Sequence, residues 1–192
     1  DRPQDMRLRG TREMTALVTG AGKRLGRAMA LYLAARGHDV ALHYASSEAE
    51  AEAVAAEIRA LGRRAQAFRA DLLIEEQVQA LIPAASAALG PLTVLVNNAS
   101  IFEYDRIETS TRQGWDRHLE SNLRAPYVLT QGFARQCPPA LTDDTGEPLA
   151  QGLIVRHRDN AAYREIMSRL APTDSPRESE PFAKGLYGVS EM

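Results

Sequence analysis

The segment Thr19-Gly20-Ala21-Gly22-Lys23-Arg24-Leu25-Gly26 concentrates three glycines just after a short apolar run and just before a helical one. Glycine lets a backbone turn tightly and approach a bulky anion. At the start of a helix, such a loop directs unpaired N–H groups and the positive end of the helix dipole toward phosphate. Gly20 and Gly22 serve the turn and the approach, and Gly26 lets the helix pack close to the sheet. The chemistry expected is the binding of a dinucleotide through its diphosphate. The alternative is a glycine-rich turn that holds nothing. The strand before the loop and the amphipathic helix after it favour the ligand.

The next residues to bear on chemistry lie at the end of the second strand. Sites that prefer NAD(H) place a carboxylate there to bind the ribose 2′-hydroxyl. Here the strand ends His43-Tyr44-Ala45-Ser46-Ser47, and the first carboxylate is Glu48. Without that carboxylate a 2′-phosphate meets no repulsion. Arg24 offers a planar cationic fork suited to phosphate, and His43, Ser46 and Ser47 offer further hydrogen bonds. NADP(H) is therefore expected over NAD(H). The bland alternatives are a solvated Arg24 at a helix start and an ordinary strand histidine.

These residues must be positioned by alternating strands and helices. Apolar runs predict strands at 15–19, 39–44, 65–69, 92–96 and 152–155. Helical spacing predicts helices at 24–36, with Leu25, Met29 and Tyr32 inward, and from Ser47 to Gly62, with Ala51, Val54, Ile58 and Leu61 inward. A third helix is expected at 74–89, where Pro83 kinks it or marks an early turn, and a long one at 111–136 that contains Pro126. Residues 97–109 and 138–152 read as loops, and a short helix is expected at 161–170. Repeated strand–helix alternation implies an α/β fold, a doubly wound parallel sheet of Rossmann type with right-handed crossovers. The organisation expected is an N-terminal extension over 1–13, a nucleotide-binding domain over 14–155, and a divergent tail rich in Arg, Pro, Ser and Glu over 156–192.

Composition narrows the classes. The chain has 192 residues, 44% of them hydrophobic, with a net charge of −2 and a pI near 6.1. That suits a globular domain and gives no basic excess for nucleic acid or an anionic membrane. No run approaches the ~18 apolar residues of a membrane span, and residues 1–13 lack the apolar core of a secretory signal. A cytoplasmic protein is the default expectation. The single cysteine, Cys137, allows no internal disulfide. His38, His43, His118 and His157 are scattered, so no metal site is expected. The first residue is not Met, so a fragment, a processed product or an added leader is expected, with Met14 as a natural start.

Thr19 to Gly26, Asp71-Leu72, Asn97-Asn98-Ala99-Ser100 and Asn122, in that order and spacing, resemble the short-chain dehydrogenase/reductase family. Lys23-Arg24-Leu25-Gly26 and Leu42-His43-Tyr44 resemble its pteridine reductase branch, where Arg24 replaces the usual middle glycine of the loop. The resemblance covers residues 14–155. It implies that Leu25 and Tyr44 join the cofactor site, that Asp71 accepts from the adenine amino group with Leu72 beside the ring, and that Asn97 and Ala99 line the floor under ribose and nicotinamide. It implies that Ser100 and Phe102 face the substrate, Phe102 stacking a flat pterin ring, and that Asn122 serves a proton relay. Asp159 is expected as a remnant of the branch's catalytic Asp. A small-molecule substrate and a homo-oligomer assembled through residues 111–136 follow from the same resemblance.

One part of the family pattern is missing. Its proton donor is a tyrosine with a lysine four residues on, and the chain's lysines are Lys23 and Lys184, preceded at that interval by Thr19 and Glu180. The fourth residue after Tyr163 is Met167, and after Tyr187 it is Glu191. Two functions therefore stand side by side: an NADP(H)-dependent oxidoreductase delivering hydride to a small, pterin-like substrate, and a catalytically inactive NADP(H)-binding module or truncated product.

Overall fold

The structure is a computed structural model that describes residues 14–137 and 153–156. The order is β1 (Met14–Val18), α1 (Arg24–Ala34), β2 (His38–Tyr44), α2 (Glu48–Ala60), β3 (Ala65–Arg69), α3 (Glu75–Leu89), β4 (Leu92–Asn97), α4 (Arg112–Leu119), a π-helical turn (Glu120–Arg124), α5 (Ala125–Gln136) and β5 (Leu153–Arg156). The expected loop at 138–152, the helix at 161–170 and Asp159 lie outside the described residues.

All strand pairs are parallel, in the spatial order β3-β2-β1-β4-β5. The order reverses between β1 and β4, and a cleft at the carboxyl ends of those two strands is where open α/β sheets bind ligands. The strands β1, β2 and β4 are buried on both faces along most of their length, which is why their apolar runs stand out, while the edge strand β3 is partly exposed. Alternate residues feed two cores. Ala16, Val18, Val40, Leu42, Val94 and Val96 pack on one face with Met29, Ala30 and Ala34 of α1 and Val54, Ala55 and Ile58 of α2. Leu17, Ala41 and Leu95 pack on the other with Val78, Leu81 and Ile82 of α3 and Val128, Leu129 and Phe133 of α5.

Three expectations change. Leu61 is the C-cap of α2 and is exposed, because the helix has turned its stripe away by that residue. Of the kink or early turn expected at Pro83, the early turn does not occur: α3 runs on through Pro83, which lies on the solvent side, where the carbonyl it leaves without a donor can be hydrated. The long helix expected at 111–136 is present but carries a π turn at its middle. At the π turn the Ala125 N–H reaches back five residues to the Glu120 carbonyl, and Pro126 then stands in the first turn of α5. Proline has no N–H to give, so a helix restarts there more easily than it continues.

Candidate functional site

The glycine loop leaves β1 at the switch point and is fastened on three sides. On the β4 side, the Thr19 hydroxyl accepts the N–H groups of Asn98 and Ala99, each at 2.9 Å, and donates to the Val96 carbonyl at 3.2 Å. The Asn98 amide returns a bond to the Thr19 carbonyl at 2.9 Å. On the β2 side, the Ala21 N–H bonds the His43 carbonyl at 2.9 Å, and the Gly20 N–H bonds His43 Nδ1 at 3.1 Å. On the α1 side, Gly26 packs directly on the Gly20 carbonyl, where an added Cβ would collide.

Two glycines are required by position. Gly20 has φ +65°, a region costly for other residues, and an added Cβ would stand 3.2 Å from Ala99 Cα. Gly22 allows the loop to approach the start of α2. A Cβ there would lie 3.0 Å from Ser47 Oγ and 3.2 Å from the Ala51 nitrogen.

The α1 terminus is left open. Its N-cap, Lys23, makes no side-chain capping bond, and its first turn has no acidic residue. Among the described residues no side chain caps that positive end, so an anion can. Arg24, its first residue, has φ +48° and is the one non-glycine residue with positive φ among the described residues. That backbone costs a side chain about 1 kcal/mol. The Arg24 side chain is exposed and makes no hydrogen bond or ion pair among the described residues, whereas neighbouring Lys23 is paired with Glu50 at 2.6 Å. A strained backbone holding an unpaired guanidinium beside a helix terminus is what an anion site needs.

Beyond the loop, Ser46 is exposed and Ser47 is half-buried at the N-cap of α2, without a capping bond of its own. Both hydroxyls lie at the carboxyl end of β2, next to the loop. Tyr44 is buried, and burial together with the Glu48 carboxylate raises its phenol pKa. Leu25 is half-buried and packs on the α1–α2 core.

His43 needs a correction. The sequence reading gave it a direct bond to a phosphate. It is 1% exposed, with Nε2 3.0 Å from the Ala70 carbonyl and Nδ1 occupied by Gly20. Both nitrogens are committed inside the protein. Burial lowers its pKa, against the opposing pull of the Ala70 bond and the Asp71 carboxylate, so the ring is neutral at pH 7. Leu72 also departs from expectation: its side chain is buried in the α3–α5 core, so only its backbone can border an adenine.

Asp71 is exposed after β3. One carboxylate oxygen accepts the Leu73 N–H at 3.0 Å, while the N-cap of α3 is Ile74. Asn97 closes β4 with its side chain 94% buried (6% exposed) and neither amide atom hydrogen-bonded. Ala99 is half-buried against the loop, and Ser100 is exposed next to it. Phe102 is 84% exposed. Asn122 lies in the π turn and clamps the backbone of Ile101, accepting its N–H and donating to its carbonyl, both at 2.9 Å. The amide thus fixes the loop that carries Ser100 and Phe102. Thr19 and Asn98 were part of the sequence motif without a role of their own. A threonine directly after a buried strand was the available signal for the first.

The chain matches the family model "short chain dehydrogenase" over residues 14–146. It is 40% identical over 117 residues to a 3-oxoacyl-[acyl-carrier-protein] reductase FabG of Staphylococcus aureus, covering 61% of this chain and 48% of that one. The chain spans about half the length of the curated relatives it matches. Among solved structures, FolM Alternative dihydrofolate reductase 1 from Brucella suis in complex with NADP superposes with a TM-score of 0.66 at 34% identity, covering 74% of this chain and 56% of that one. A short chain dehydrogenase from Burkholderia cenocepacia in complex with NADP gives 0.66 at 36% identity, over 82% and 62%. The family match takes in the glycine loop, the strands β1 to β4 and the helices between them, the same residues that build the cleft: the chain belongs to the short-chain dehydrogenase family.

Proposed function

We propose that this chain holds NADP(H) and forms the cofactor-binding part of an oxidoreductase acting on a small molecule. The observation that carries the reading is the uncapped α1 terminus with an unpaired Arg24 beside a β2 end that offers no carboxylate before Glu48. Backbone N–H groups from Gly22 to Gly26 take the diphosphate. Arg24, with Ser46 and Ser47, takes the 2′-phosphate. Asp71 and the Leu72 backbone border the adenine, and Asn97 and Ala99 lie beneath ribose and nicotinamide. The solved relatives with NADP bound support this reading. When bound, the reduced nicotinamide supplies a hydride. Ser100 and Phe102 stand at the same strand end, where an exposed aromatic ring suits a flat heterocycle, and a pterin-class substrate follows from the resemblance to pteridine reductases. The residues named for proton handling are Asn122 and Asp159.

Titration with NADPH and NADH followed by nicotinamide fluorescence tests the reading. NADPH should bind more tightly, and Arg24→Ala should weaken NADPH about ten- to a hundredfold while leaving NADH nearly unchanged, the range expected for losing charged hydrogen bonds. Equal binding of the two cofactors by the unsubstituted chain rejects it.

A second reading has its own observation: these 192 residues contain no Tyr-x-x-x-Lys. The chain then binds NADP(H) without turning over. A melting shift with NADPH, without loss of nicotinamide absorbance on addition of a pterin, selects this reading. Steady oxidation of NADPH selects the oxidoreductase. We assign self-association to the α4–α5 face, whose test is argued below.

A further inference from the structure

We infer that His43 is a positioning residue for cofactor binding, acting through the Gly20 N–H rather than by touching the ligand. The inference rests on the dinucleotide reading of the glycine loop. A glycine at φ +65° has no side chain to lock its peptide planes, so hydrogen bonds must set their orientation. The Gly20 peptide is held at both ends. Its N–H goes to His43 Nδ1, and its carbonyl lies against Gly26 and 3.4 Å from the Asn98 amide. The adjoining Ala21 N–H goes to the His43 carbonyl. One residue of β2 therefore draws two consecutive loop amides toward the sheet.

The imidazole suits this place because it accepts with one nitrogen and donates with the other. Nε2 faces the Ala70 carbonyl, which can only accept, so the proton belongs on Nε2 and Nδ1 keeps its lone pair for Gly20. Ala70 is followed by Asp71 and Leu72. The ring thus bridges, across β2, the loop proposed for the diphosphate and the loop proposed for the adenine. A histidine that merely filled core volume would need neither bond.

Three substitutions separate the two contacts. His43→Asn places an amide oxygen near Nδ1 and keeps an acceptor for Gly20. His43→Gln places an amide nitrogen near Nε2 and keeps a donor for Ala70. His43→Leu keeps neither. Calorimetric titration with NADP+ at pH 7.5 should show His43→Gln and His43→Leu weakened about tenfold, the value of roughly one hydrogen bond, and His43→Asn within about threefold of the unsubstituted chain. Melting temperatures of the Asn and Gln variants should fall alike. Affinities of Asn and Gln variants that fall together, in step with melting, overturn the inference. So does a Leu variant that binds like the unsubstituted chain. Nitrogen NMR of the unsubstituted chain gives a measurement that needs no variant to fold: a proton on Nε2 supports the inference, and a proton on Nδ1 overturns it. An unsubstituted chain that gives no binding heat with NADP+ overturns the dinucleotide reading itself and this inference with it.

Discussion

A single hydroxyl joins the two strands that frame the cleft. Thr19 accepts two N–H groups from the segment after β4; removing the oxygen takes that partner from the Ala99 N–H, while the Asn98 N–H keeps the Val96 carbonyl at 3.1 Å. Thr19→Val keeps the shape and deletes the acceptor, so it should destabilise the chain by about 1–3 kcal/mol in urea unfolding, the cost of losing these hydrogen bonds and leaving the half-buried Ala99 N–H without its acceptor. No change in the unfolding midpoint would show that water serves those donors equally well. Charge acts at the opposite end of β2. Asp39 is buried and receives the Arg64 N–H at 2.9 Å and the Arg63 and Arg64 guanidinium groups at 2.7 Å. Burial pushes its carboxyl up, but the Arg64 hydrogen bonds and the two cations outweigh it, and the pKa is lowered. For His43 and His38 burial dominates, and both are lowered from 6.5. All three folded values lie below their unfolded ones, so each contribution is full at higher pH and lost on acidification. The melting temperature should be level from pH 6.5 until the alkaline range where Tyr44 titrates, decline below pH 6.5 as unfolded histidines take up protons, and decline again below pH 3.8 as the unfolded Asp39 carboxylate does. A melting temperature that rises between pH 7 and pH 5.5 would contradict the assignment.

At the scale of elements, the sequence was most informative where one element carries its own signal. The buried parallel strands announce themselves as apolar runs, and the glycine loop announces a β–loop–α turn, so β1, the loop and α1 were legible together. Contacts between distant segments were not. The partner of His43 Nε2 is 27 residues away in the β3–α3 loop and follows only from the register of β2 against β3. Apolar spacing likewise cannot distinguish a bond reaching four residues back from one reaching five, so the π turn before Pro126 read as uninterrupted helix. That turn carries Asn122, whose amide meets Ile101 21 residues away. Asn122→Leu deprives the Ile101 N–H and carbonyl of that partner. The expected outcome is a loss of about 1–3 kcal/mol and faster amide hydrogen exchange across residues 99–104, with α3 and the sheet unchanged. Exchange that stays as slow as in the unsubstituted chain would show that the loop is held by something other than this clamp.

At the scale of the whole molecule, the two cores take up the apolar faces of α1, α2 and α3, and four of the large apolar residues left outside form a row along the α4–α5 path. Trp115 and Leu119 of α4, Leu123 of the π turn and Tyr127 of α5 are all exposed, at intervals of four along a continuous helical path. Scattered exposed apolar residues are ordinary, but a row of them on one helical face points to an interface. The row is bordered by Glu120 and by Arg124, whose guanidinium is already paired with Glu75 of α3, so two copies related by a two-fold axis would meet through the apolar row itself. Sedimentation at micromolar concentration should give a dimer, and Leu123→Arg, which places two like charges at the centre of the pair, should give a monomer. Because Leu123 is exposed in the single chain, the substituted protein should keep its unfolding free energy to within about 0.5 kcal/mol once measured below the dissociation range. A monomeric unsubstituted chain would remove the interface, and a dimer that survives Leu123→Arg would move it to another face.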